Sequence, residues 1–141
     1  MDFQQRLIDS SKKQGGYGRK VAHFMLRGIS DVLLAHPGFT LMQWECKDFG
    51  AVAPGFNRKT GATHHQVEHL RRLHAGSEGT IGGLAIRTMH RGIERVSFIP
   101  YDSERFSEEN LFDCPSCVWS VASNQYLKLT EAFDAFGVSR I

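Results

Sequence analysis

The chain has 141 residues, 41% of them hydrophobic, 23% charged and 11% aromatic, a composition that fits one globular domain with a real core and excludes disordered and fibrous classes. Its 17 basic and 15 acidic residues leave a net charge of +2, too small by itself to argue for a polyanionic partner, and its 3 cysteines fit a reducing compartment better than a disulfide framework. No run approaches the roughly 18 consecutive apolar residues of a membrane span, and MDFQQRLIDSSKKQGG lacks the layout of a signal peptide, so a cytoplasmic protein with no membrane partner is expected.

Residues 2–13 carry Phe3, Leu7 and Ile8 at helical spacing, which predicts a short amphipathic helix stopped by Gly15 and Gly16. RKVAHFML then reads as extended, and SDVLLA and LMQWECK read as strands joined by HPGFT, whose Pro and Gly supply turn chemistry. Residues 49–62 are expected to form a loop. A second helix follows over residues 63–75, with Val67, Leu70 and Leu73 on one stripe. TIGGLAIRT and IERVSFIP are expected to pair as a hairpin turning near residues 90–92, with Gly82 and Gly83 marking a bulge or the close approach of another backbone. NQYLKLTEAFDAFG predicts a closing helix, with Trp119, Tyr126, Phe133 and Phe136 available for core or subunit packing. The order of elements predicts a single α/β domain on a mixed central sheet flanked by helices.

The first hairpin carries the chemistry. A loop over residues 36–40 pairs Ala35 with Leu41 and, by the same register, sets Asp31 across from Glu45. Alternation puts Lys47 on the face of Glu45 and turns Val32, Leu34, Met42, Trp44 and Cys46 to the other, which is expected to be core. Two carboxylates with Cβ atoms about 4.5–5.5 Å apart destabilise a sheet unless a positive charge lies between them. Mg²⁺, which prefers hard carboxylate oxygens and keeps positions open for water and phosphate, is the expected occupant. Lys47 then stands beside it as a point charge able to orient a water or stabilise a phosphorane. The plain alternative is an edge acid at Asp31 and an exposed Glu45–Lys47 ion pair worth about 1 kcal/mol or less.

SD followed at this distance by ECK resembles the signature of the PD-(D/E)xK nuclease superfamily, with Ser30 where that pattern usually has Pro. THHQVEHLRRLHA followed by GTIGGLAIRT looks like the helix and strand of RecU-type Holliday-junction resolvases, and VRR-NUC-like phage nucleases share a comparable Gln. The resemblance covers roughly residues 1–100. It implies a restriction-endonuclease-like fold and a metal-dependent endodeoxyribonuclease. Asp31, Glu45 and the backbone carbonyl of Cys46 would hold Mg²⁺, with Mn²⁺ as a substitute, while Lys47 assists the attacking water and Gln66 positions Lys47 or the scissile phosphate. Lys12, Lys13, Arg19, Lys20, Arg71 and Arg72 would track the DNA backbone. The implied substrate is branched DNA in recombination or phage DNA processing, cut by a two-fold homodimer in a bacterial cell or phage-infected host. Two features depart from the family. The first helix lacks the further Glu found in many members, leaving Gln5 or Asp9 to stand in, and the hairpin carries no stalk insertion. The alternatives are a structure-insensitive or flap-directed phage nuclease, or a catalytically degenerate DNA-binding accessory protein.

The remaining motifs have simpler readings. Thr63-x-x-Gln66 has capping-box spacing, which does not exclude a role for Gln66 at the site. His65 and His69 lie one helical turn apart, but HHQVEH is not H-E-x-x-H, so contact with phosphate or solvent is expected before zinc. Cys114 and Cys117 form a single C-x-x-C, read as a packed loop, and Cys46 is expected to be buried. Basic residues cluster early and again from Arg71 to Arg95, whereas acids collect between Asp102 and Asp113, a distribution that permits one basic face.

Overall fold

Asp2 starts the first helix, α1 (Phe3–Lys13), by accepting the Gln5 N–H at 2.7 Å on its side chain. Phe3, Leu7 and Ile8 form its buried stripe. The computed structural model describes residues 2–21, 32–51, 64–76, 80–102, 119–121 and 126–141. The elements after α1 are β1 (Tyr17–Lys20), β2 (Val32–Ala35), β3 (Leu41–Ala51), α2 (His64–Gly76), β4 (Thr80–His90), β5 (Ile93–Pro100), β6 (Trp119–Val121) and α3 (Leu129–Ala135). None of the described helices is long and apolar enough to cross a membrane.

The described strands form one mixed sheet in the order β1-β2-β3-β4-β5-β6, with β3 and β4 parallel and every other pair antiparallel. Between β2 and β3, Pro37 and Gly38 (φ 86°) sit in a turn closed by the Phe39 N–H on His36 O at 3.1 Å, a geometry that needs glycine at its third position. The resulting register, Val32↔Trp44 and Leu34↔Met42, is the one that a five-residue loop predicts. The parallel β3–β4 pair requires a crossover, and α2 lies between the two strands in sequence.

Four expectations need correction. β3 runs on to Ala51 where a loop was expected from residue 49, because β4 supplies a partner through Ala51↔Met89, across a register shift eased by Gly50. The strand after α1 is residues 17–20, so only the first residues of RKVAHFML join it, and residues 22–31 lie outside the described set. α3 is shorter than the helix expected over residues 124–137, since Tyr126, Leu127 and Lys128 are not helical. β6 was not expected at all. Gly82 and Gly83, by contrast, mark close approach without a bulge: a Cβ on Gly82 would meet Leu70 and Leu73 at 2.9 Å, and one on Gly83 would meet Ile99 O at 2.4 Å.

Alternation gives the sheet two distinct faces. One carries Val32, Leu34, Met42, Trp44, Ala85, Val96 and Phe98 against α1 and α3. Phe133 of α3 sits at its centre, stacked on Trp44 at 5.9 Å and edge-on to Phe98 at 4.9 Å. Cys46 is only partly buried against this core. The other face is a smaller cluster in which Leu84, Ile86 and Ile99 meet Leu70 of α2.

Buried polar groups fasten the first core. Ser11 Oγ lies 2.9 Å from His36 Nδ1, and His36 Nε2 lies 2.8 Å from Thr130 Oγ1, so the imidazole ties α1 to α3. Burial, helped by Arg140, pushes the His36 pKa below its ordinary 6.5, and burial does the same to His69. The unfolded chain therefore binds protons near pH 6.5 that the folded chain refuses. Stability is fully present above that pH and is lost as the pH falls below it. The melting temperature is expected to drop between pH 7 and 5, and to drop less in His36→Gln. An equal pH dependence in the variant counts against the imidazole as a source.

Candidate active site

β3 delivers Glu45 and Lys47 to the α2 face. Trp44 faces the aromatic core, so its neighbour Glu45 must point the other way, and Lys47 follows two residues later. Parallel pairing sets Glu45 beside Leu84 and Lys47 beside Ile86, the residues on which α2 packs. Leu70 anchors the helix there, and Gln66 lies one turn before it on the same side.

The result is a three-residue relay. Gln66 Nε2 donates to Glu45 Oε1 at 2.5 Å, and Lys47 Nζ donates to Gln66 Oε1 at 2.9 Å. A side-chain amide thus spans a carboxylate and an ammonium with one end for each. Glu45 is 4% exposed, which is unlike the exposed ion pair of the plain alternative. Burial this deep is costly for a carboxylate, and the relay offsets part of that cost. Three of the expected site residues, Glu45, Lys47 and Gln66, are thereby brought together, although Gln66 lies 19 residues beyond Lys47. Asp31 lies outside the described residues, as do Thr63, Cys114 and Cys117.

The first helix does not supply a further acid to Glu45. Gln5 Nε2 donates to Asp9 Oδ1 at 2.9 Å, and both belong to α1, which packs on the opposite face of the sheet. The expectation that Gln5 or Asp9 stands in is corrected on that ground. On the α1 face a different carboxylate is buried: Glu94, 1% exposed, bonds Arg6 of α1 through one oxygen and Arg87 Nε at 2.6 Å through the other. Arg87 also reaches Asp48 at 3.0 Å, tying β3, β4, β5 and α1 together. Burial works against the Arg87 charge, but its bonds to Glu94 and Asp48 outweigh that and hold its pKa above the ordinary value. Nothing local in the sequence singles out Arg6 or Glu94, because 88 residues separate them.

The basic residues expected to track DNA divide between the faces. Gly18 turns toward Ile8 and Leu34 on the α1 side, so Arg19 points to the Glu45 side and Lys20 back to α1, where it bonds Asp2 at 2.8 Å. Arg71 and Arg72 ride on α2, above the Glu45 face, and share Glu68, whose pKa falls to about 2, chiefly through its bond to Arg71 and then that to Arg72. Lys12 and Lys13 end α1 on the far side. His65 is exposed, and His69 is half-buried with its Nε2 atom enclosed and without a hydrogen-bond partner among the described residues.

A cation at this site would draw on hard oxygen donors, which Glu45 supplies from the described residues. Among those residues no three His, Cys, Asp or Glu side chains gather as a metal-ligating group. A scan against protein-family models finds no match for this chain, and a search of curated proteins finds none either.

Proposed function

We propose that the chain is a Mg²⁺-dependent endodeoxyribonuclease with a restriction-endonuclease-like fold, acting on branched DNA as a homodimer. The observation that carries this reading is the Gln66 amide spanning Glu45 and Lys47 on the buried face of β3. One more step of the β2–β3 register, which pairs Val32 with Trp44, would set Asp31 opposite Glu45. Asp31, Glu45 and the Cys46 carbonyl would then hold Mg²⁺, which supplies a more acidic water and charge neutralisation on phosphate. Lys47 orients the attacking water or takes up negative charge developing on phosphorus. Gln66 Oε1 accepts a hydrogen bond from the Lys47 ammonium and so limits the rotamers of that side chain. Arg19, Arg71 and Arg72 share the face and meet phosphates without reading sequence.

A second reading, a DNA-binding accessory protein with a degenerate site, is favoured by one observation: Gln5 and Asp9 bond each other across the sheet from Glu45. The two separate in one assay. Wild type, Asp31→Asn and Lys47→Ala are incubated with a four-way junction, linear duplex and single strand in Mg²⁺ or Mn²⁺. Metal-dependent cutting of the junction by wild type is expected, strongly slowed in both variants. Equal cutting of linear and branched DNA would replace the junction reading with a structure-insensitive nuclease, and binding without cutting by wild type would select the accessory protein.

A further inference from the structure

A cleft of about 320 Å³ opens between the last turn of α1 and residues 126–131, across the sheet from Glu45. Its walls come from an in-and-out alternation: Leu127 and Leu129 are buried, while Tyr126 and Lys128 point to solvent. The segment is held firmly. Leu127 N–H donates to Ser10 Oγ at 2.9 Å, Gln14 Nε2 donates to Leu127 O at 2.6 Å, and Leu129 N–H donates to Gln14 Oε1 at 3.2 Å. Three bonds to one helix pre-organise Tyr126 and Lys128, which lowers the entropy cost of binding anything between them.

The lining has a consistent chemistry. Tyr126 is 52% exposed, and Lys13 Nζ lies 5.6 Å from the centre of its ring. Lys12, Lys13 and Lys128 are exposed, and among the described residues no acid pairs with any of them. The negative end of the α1 dipole accounts for Lys12 and Lys13. It does not account for an outward tyrosine or for Lys128. An exposed aromatic ring beside unneutralised lysines suits a planar base joined to a phosphate. Glu131 on the rim favours the single charge of a phosphodiester over the several charges of a nucleoside triphosphate.

The cleft includes the residues that lead from α1 into β1, at one edge of the described sheet. β1 is one of the two edge strands among the described residues, and it starts just after α1. Tyr17, 57% exposed, and Arg19 lie on its Glu45 side, while Lys13 and Tyr126 lie on its α1 side. A single strand bends more easily than a duplex, so it is the form of nucleic acid suited to contacts on both sides of one strand.

We propose that this cleft binds one nucleotide of single-stranded nucleic acid, with the base stacked on Tyr126 and the phosphodiester against Lys13 and Lys128. It rests on the nucleic-acid reading above but not on the Glu45 chemistry.

The test is fluorescence anisotropy of a fluorescein-labelled oligothymidylate with the full chain in EDTA, where no cutting occurs. Tyr126→Ala is expected to weaken binding roughly 5- to 150-fold, the effect of losing one stacked base. Tyr126→Phe is expected to retain wild-type affinity. Lys13→Ala with Lys128→Ala should reduce the slope of log affinity against log salt by about 1.4. Unchanged affinity in Tyr126→Ala, or no binding by wild type, overturns the proposal. Thymidine triphosphate binding as tightly as the oligonucleotide, or duplex binding with the same Tyr126 dependence, overturns it as well. Because EDTA silences any metal-dependent cutting, binding at this cleft is read in this assay and cleavage in the metal-containing junction assay, so a failure of the nuclease chemistry and a failure of this cleft are read separately.

Discussion

Glu94→Gln is expected to destabilise the protein by about 3–5 kcal/mol, because it leaves two guanidiniums facing a neutral amide where a carboxylate neutralised them. Glu94 is 1% exposed, and the Arg6 and Arg87 side chains are 11% and 19% exposed, so water cannot take over the lost solvation. The amide keeps the volume but turns one of its ends into a donor that opposes an arginine. In a chain of this size the loss corresponds to a fall in melting temperature of roughly 10–20 °C. Thermal unfolding by circular dichroism measures it. Arg6→Met combined with Glu94→Leu is expected to recover part of the loss, since it removes one guanidinium together with the carboxylate while Arg87 keeps its bond to Asp48. A Glu94→Gln protein melting within about 2 °C of wild type would show that solvent reaches the network after all.

That network also marks where a sequence stops being readable. The hairpin was legible because one loop length determines every pairing in it, and alternation then assigns each side chain to a face. α2 was legible because Val67, Leu70 and Leu73 repeat at helical spacing. Contacts between distant elements leave no such trace, and the Arg6–Glu94 bond joins α1 to β5. The C-terminal helix is shorter than its periodicity for the same reason: Ser10 of α1 and Gln14, which caps it, bond the backbone of Leu127 and Leu129 and hold residues 126–128 out of the helix. The end of β3 is not legible because Asn, Gly and Pro downstream suggest a loop, while the residue that pairs with Ala51 and extends the strand is the distant Met89 of β4. The split of the basic residues was available in principle. Arg19 and Lys20 are consecutive in a strand, so they cannot serve one face. The candidate site lies between these cases: its two β3 residues follow from alternation, and Gln66 required the helix to land where Gly82 lets it.

The relay makes a sharper prediction than loss of activity alone. Under the proposed function, Lys47→Ala is expected to slow single-turnover junction cleavage roughly 10²- to 10³-fold, the effect of removing one oriented charge from a reacting phosphate. Gln66→Ala is expected to cost roughly 10- to 100-fold, because it removes the group that orients Lys47 while leaving the ammonium present. Gln66 touches both Glu45 and Lys47, so the two routes by which it could act must be distinguished. If it acts through Lys47, the double variant Gln66→Ala, Lys47→Ala is no slower than Lys47→Ala, and the Mg²⁺ concentration for half-maximal rate stays at the wild-type value. If it acts through Glu45, the two losses multiply and that concentration rises. The first outcome is expected, since Lys47 is the longer and more mobile side chain and loses more rotamer freedom in the bond than a carboxylate already enclosed by the sheet. Wild-type rates in Gln66→Ala would make the bridge a packing contact and leave Glu45 and Lys47 to act without it.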